Sequence, residues 1–200
     1  MKSILTLILF LMAMSRPVPV TPSTDTQGET PSVIRLKASG QLSAPREAIL
    51  RVARTEIGTR EATGNNDGPV EKYLVAAGAK KGDPYCAAFV YWVGREALGK
   101  ANPFPRSAWS PDFVAHAQWK KGVGPELRPA DTFGIYFASK KRVAHTGLIW
   151  KVGANSVTTI EANSTFTTNV SGEADREGTE GVGSKIRLKS SLYQSQSWTE

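Results

Sequence analysis

Apolar residues in this chain change their period once. Up to about residue 119 they recur at helical spacing; from Thr132 onward they gather into short β-branched and aromatic runs separated by turn residues. Helical spacing puts positions three and four apart on one face, whereas a strand shows every second residue to one side, so the two patterns are not interchangeable. The chain is therefore expected to fold as α+β, with N-terminal helices packed on an antiparallel β-sheet. Ala48, Ile49, Val52, Ala53 and Ile57 define a first helical face, between the start signals Ser43 and Pro45 and the stop Gly58. A second helix is expected over 69–77, ending before Gly78, with Val70, Tyr73 and Leu74 inside. A third starts at Tyr85 or Cys86 and ends near Gly99, with Phe89, Val90, Val93 and Ala97 as its buried stripe. Ser110-Pro111-Asp112 is a start signal for a short helix reaching about Trp119. Strands are expected over 132–137, 146–152, 156–162 and 185–188, the middle two joined as a hairpin through 151–156. The polar, glycine-rich stretch 169–183 reads as a loop.

The N-terminus does not share this pattern. Lys2 precedes an apolar run from Ile4 to Met12, followed by the small residues Ala13 and Ser15. That reads as a secretory signal peptide over 1–15, too short for the ~20 apolar residues of a spanning helix. Residues 16–44 are rich in Pro, Thr and Ser and poor in large apolar groups, so a flexible linker is expected, with a short strand at 32–36. The remaining 156 residues (45–200; 200 − 44 = 156) suffice for one hydrophobic core. The expected product is a secreted or periplasmic monomer with no stable membrane insertion.

A formal charge of +7, or +6 once Lys2 is removed, draws an exported protein toward anionic polymers. The basic doublets Lys80-Lys81 and Lys120-Lys121 and the cluster Lys140-Lys141-Arg142 are scattered and not interleaved with aromatics, so no nucleic-acid partner is expected. Two histidines and one cysteine without close spacing do not make a zinc site, and no cofactor or metal is expected. Asn65-Asn66-Asp67-Gly68 reads as a tight turn. Asn163-Ser164-Thr165 and Asn169-Val170-Ser171 match glycosylation sequons, to which no weight is given. Trp109, Trp119, Trp150 and Trp198 are taken as core residues.

The lone cysteine, Cys86, cannot form an internal disulfide. It follows a proline turn and opens the third helix, where unpaired N–H groups and the dipole favour a thiolate. A thiol nucleophile needs a base, and the base needs an orienter. His145, at the start of an apolar strand, is the better base; His116, on the short helix, reads as structural or exposed. If the hairpin forms, Glu161 returns beside His145, and Asn163, two residues on, shares its face. Either could accept the imidazole N–H.

Tyr85-Cys86-Ala87-Ala88-Phe89-Val90-Tyr91-Trp92, Ala144-His145-Thr146-Gly147-Leu148-Ile149 and Ile160-Glu161-Ala162-Asn163-Ser164 resemble the Cys, His and Glu-x-Asn blocks of CHAP domains, the cysteine, histidine-dependent amidohydrolases/peptidases. The spacings, 145 − 86 = 59 and 161 − 145 = 16, are similar, and the resemblance covers about residues 46–198. It implies a papain-like fold and hydrolysis of a peptidoglycan amide bond, either muramoyl-L-alanine or a peptide bond. It also implies roles: Cys86 as nucleophile, His145 as base and acid, Glu161 as orienter and Asn163 assisting. Tyr85 departs from a usual Trp, Ala130 from a usual Gly, and Ala162 from the Gly of Glu-Gly-Asn. Two other readings stay open. One is a catalytically silent wall-binding module; the other is a papain-like protease or transamidase acting on protein.

Overall fold

The computed structural model describes residues 42–166 and 180–199. The expected signal peptide, the linker up to residue 41, the strand at 32–36 and the sequon at Asn169 lie outside the described residues.

Three α-helices precede the sheet strands: α1 (Ala44–Thr55), α2 (Glu71–Ala77) and α3 (Cys86–Leu98). Proline in its first turn starts α1, and Gly78, at φ 77°, closes α2 in the left-handed conformation that glycine adopts without Cβ strain. α1 buries Ile49 and Ala53 of its expected apolar face, with Val52 packed partly against the core, and adds Arg46 and Leu50 to it. Arg46, Ile49, Leu50 and Ala53 point inward. The buried Arg46 guanidinium pairs with Asp131 at 2.9 Å and also donates to the carbonyl of Pro129 and the hydroxyl of Ser197. A buried charge is tolerated when it is paired and its donors are satisfied, and here that pair fixes α1 to the segment entering the sheet.

The strands are β1 (Trp119–Lys120), β2 (Thr132–Phe137), β3 (Arg142–Val152), β4 (Ser156–Thr165), β5 (Glu180–Leu188) and β6 (Gln194–Gln196). They form one antiparallel sheet in the order β1-β6-β2-β3-β4-β5. The α+β expectation therefore holds, with helices first and an antiparallel sheet after them. Leu148, Ile160, Ala162 and Val182 face the helices, packing with Tyr73, Phe89 and Val90. Phe133, Ile149 and Val157 cover the other face together with Trp119, Leu127 and Leu192. Among the described residues, no helix is long and apolar enough to cross a membrane.

Four expectations are corrected. Ser110–Val114 is a single 3-10 turn, and Trp119 belongs to β1, so no helix runs to Trp119. The sheet captures the chain instead: the Thr132 hydroxyl donates to the Phe113 carbonyl at 2.6 Å, and Gln196 accepts the His116 N–H at 2.8 Å. β3 starts at Arg142, so His145 lies inside the strand. β5 starts at Glu180 within the expected loop. Trp109 is 49% exposed, not core.

Candidate active site

α3 begins at Cys86 because Asp83-Pro84-Tyr85 forms a turn that cannot continue upstream as helix. That turn is braced from three sides. The fully buried Tyr85 donates its hydroxyl to Glu61 at 2.9 Å and stacks near Tyr73. Its backbone N–H donates to Asn163 Oδ1 at 3.0 Å. Asn66, in the expected tight turn at φ 57°, donates from Nδ2 to the Gly82 carbonyl at 2.9 Å.

In the β3–β4 hairpin, Gly147 stands opposite Glu161. Side chains two residues apart share a face, so Glu161 is the diagonal neighbour of His145, within reach across Gly147. His145 Nε2 meets Glu161 Oε2 at 2.7 Å. With Nε2 engaged, Nδ1 is the nitrogen left for the thiol, and the imidazole is near enough to Cys86 to favour its thiolate. Cys86 Sγ also lies 3.4 Å from Ser110 Oγ. The structure thus brings Cys86, His145 and Glu161 together in one buried cluster.

Gly147 makes room for this. A Cβ there would sit 2.8 Å from the Ile160 carbonyl and 3.1 Å from Glu161 Cγ. Gly147→Ala is expected to cost about 1–3 kcal/mol through overpacking. Chemical denaturation checks the stability, and the rate of Cys86 alkylation checks the displaced Glu161–His145 pair.

Asn163 does not join the cluster. A bulge between Ala162 and Ser164 puts Asn163 at φ 56° and breaks the alternation that would have placed it beside Glu161. Its side chain holds the Tyr85 N–H, Asn66 and Glu180 instead. His116 is exposed.

Three partners were missed by sequence reasoning. Arg187, on β5, grips Glu161 with both Nε and Nη2, at 2.5 and 2.6 Å. Thr159 donates its hydroxyl to the same carboxylate at 2.5 Å. Arg187 and Thr159 share the Glu161 face by strand alternation across the β4–β5 register, which only a fixed pairing reveals. Ser110, read as a helix cap and lying beside the Cys86 thiol, is the third.

Electrostatics follow from these contacts. Burial pushes the Cys86 thiol up, but His145, Ser110 and the Thr146 backbone outweigh it and bring its pKa to about 7. Burial pulls His145 down, yet hydrogen bonds and charge from Cys86 and Glu161 raise it to about 9. Burial opposes ionisation of Glu161, and Arg187 and His145 overcome that and hold its carboxyl well below the usual range. At neutral pH the favoured state is therefore a thiolate–imidazolium pair, titrating as a unit. Any thiolate-dependent rate should rise through about pH 7 as the thiol ionises and fall through about pH 9 as the imidazolium is lost. A pH profile of kcat/KM checks both limbs. A flat profile across neutrality would contradict the pair.

Compared with known proteins, the chain matches no model of a protein family and no curated protein.

Proposed function

We propose that the protein is an exported thiol amidohydrolase of CHAP type, with a papain-like arrangement, that cleaves an amide bond of peptidoglycan. The observation that carries this reading is the buried cluster of Cys86, His145 and Glu161, with the thiol at a helix start and the carboxylate held by Arg187. The three sequence blocks support the family. Of its departures, Ala130 sits at φ 69°, a conformation glycine takes more readily, which accounts for the residue usual there.

The chemistry is acyl transfer. The Cys86 thiolate attacks the amide carbonyl carbon, forming a C–S bond, and the oxyanion meets the first amides of α3, which have no intrahelical partner. His145, as imidazolium, gives its proton to the departing nitrogen as the C–N bond breaks. It then takes a proton from water, which attacks the thioester and releases the thiolate. Glu161 keeps the imidazole oriented throughout, and Asn163 positions the Tyr85–Cys86 turn rather than the base.

The test is incubation with purified sacculi, labelling of newly released amines, and mass analysis of the soluble fragments. New L-alanyl amino termini identify the muramoyl-L-alanine bond; other new amines identify a peptide bond. Binding to sacculi without new amines would replace this reading with the silent wall-binding module. Cleavage of protein but not of sacculi would replace it with the protease.

A further inference from the structure

The thiol is nearly covered, so its neighbourhood dictates what reaches it. A cleft of about 440 Å³ runs beside it, lined by Pro84 from the Cys86 turn, Trp109 and Ser110, and Lys140, Arg142 and Ala144 from the β3 approach. Ser110 is the residue in contact with Cys86 Sγ, and Ala144 precedes His145, so this cleft adjoins the reacting atoms.

Its chemistry is asymmetric. The Arg142 guanidinium lies 3.8 Å from the centroid of the half-exposed Trp109 ring, and its Nη1 donates to the Val143 carbonyl at 2.9 Å. The stacked ring and that hydrogen bond hold the guanidinium plane in place, with its other N–H donors in a fixed fork. Such a fork matches a carboxylate, and its ordering cost is met before the ligand arrives. Lys140, which also lines the cleft, adds a second positive charge. Among the described residues, neither Lys140 nor Arg142 forms an ion pair. The acid in the cleft, Asp83, accepts the Lys80 N–H at 2.9 Å. Around these groups the lining is small and apolar: Ala77, Ala79 and Ala108. A bulky side chain gains little there; a short peptide carrying a free carboxylate gains a partner.

We propose that Arg142, stacked on Trp109 and assisted by Lys140, forms a subsite for a substrate carboxylate close to the scissile amide. The proposal rests on the reading of Cys86 as nucleophile and narrows its substrates to acidic peptides.

A muramoyl tetrapeptide with lysine as its third residue carries two such groups, a glutamyl α-carboxyl and a C-terminal carboxyl. Three ligands separate them: the parent, the form amidated at the glutamyl carboxyl, and the form amidated at the C-terminus. Binding is measured calorimetrically to the full-length Cys86→Ala protein, so that no turnover is needed, and cleavage is measured with wild type. One amidation is expected to weaken binding at least about tenfold, as loss of a charge-assisted hydrogen bond does. Arg142→Met in the same background should bind all three alike, while Arg142→Lys, retaining charge without the fork, should keep part of the preference. Equal binding of all three ligands by the Cys86→Ala protein, or an undiminished preference in Arg142→Met, would overturn the subsite. A preserved preference with no cleavage of any ligand or of sacculi by wild type would instead overturn the amidohydrolase and leave the subsite standing.

Discussion

Cys86→Ser is expected to lower kcat/KM for amine release from sacculi by roughly a thousandfold or more, the scale of losing a nucleophile from a concerted catalytic set. The oxygen replaces sulfur almost isosterically at a site only 3% exposed, beside Ser110 Oγ. Folding should therefore survive, and the melting temperature and sacculus binding should stay close to those of wild type. What is lost is ionisation. His145 can draw the thiol to a pKa of about 7, whereas an alcohol starts several units higher and stays protonated beside the same imidazole. Release of amines at the wild-type rate by the serine variant would show that Cys86 is a buried structural thiol.

Glu161→Gln is expected to damage both activity and stability. The carboxylate is fully buried and is shared by His145, Arg187 and Thr159. An amide keeps the shape but removes the charge, and it turns one acceptor into a donor facing Arg187 or His145. Breaking a buried pair from one side costs about 3–5 kcal/mol. Arg187 is 22% exposed at its side chain, so water recovers part of that and about 2–3 kcal/mol is expected. Activity should fall by about 10²–10⁴-fold, because the imidazole loses both its orientation and the charge that favours imidazolium. Since Glu161 holds its proton more weakly when folded, its stabilisation is complete above the unfolded carboxyl pKa of about 4.3 and disappears as pH falls. The stability gap between wild type and variant should therefore narrow in acid. Denaturant titration near neutral pH and in acid checks this, and the alkaline limb near pH 9 should move down in the variant. A gap that is unchanged in acid would mean that the Glu161 charge does not stabilise the fold.

The chain displays its helix α3 and its central hairpin openly. A proline turn, a continuous apolar stripe and a terminal glycine bound α3, and two β-branched runs around a glycine turn bound the hairpin, so Cys86, His145 and Glu161 could be brought together from spacing. The misreadings have physical causes. β5 begins at Glu180 because Gly181 and Gly183 are strand residues under close approach: a Cβ on Gly181 would lie 2.3 Å from the Thr59 carbonyl, and one on Gly183 would lie 2.6 Å from Phe166. Glycines that read as loop are there for lack of space. Arg187 is hidden for another reason. Its strand neighbours Ile186 and Leu188 are 80% and 62% exposed, so the edge strand turns its charge inward and its apolar residues outward, the reverse of ordinary patterning. Asn163 was misassigned because alternation fails at a bulge, and a bulge leaves no mark in composition.

The account stands on a preformed thiolate–imidazolium pair, and Cys86, as the lone cysteine, allows that pair to be read directly. Alkylation of the intact protein by iodoacetamide, followed by mass across the neutral and alkaline range, reports the thiolate fraction at one site. In wild type the rate should reach half its plateau near pH 7. In His145→Ala, with burial no longer opposed by the imidazole, the midpoint should move up beyond the ordinary thiol range of about 8.5. A wild-type midpoint already at or above that range, or the same midpoint in both proteins, would contradict the pair and with it the assignment of Cys86 as nucleophile.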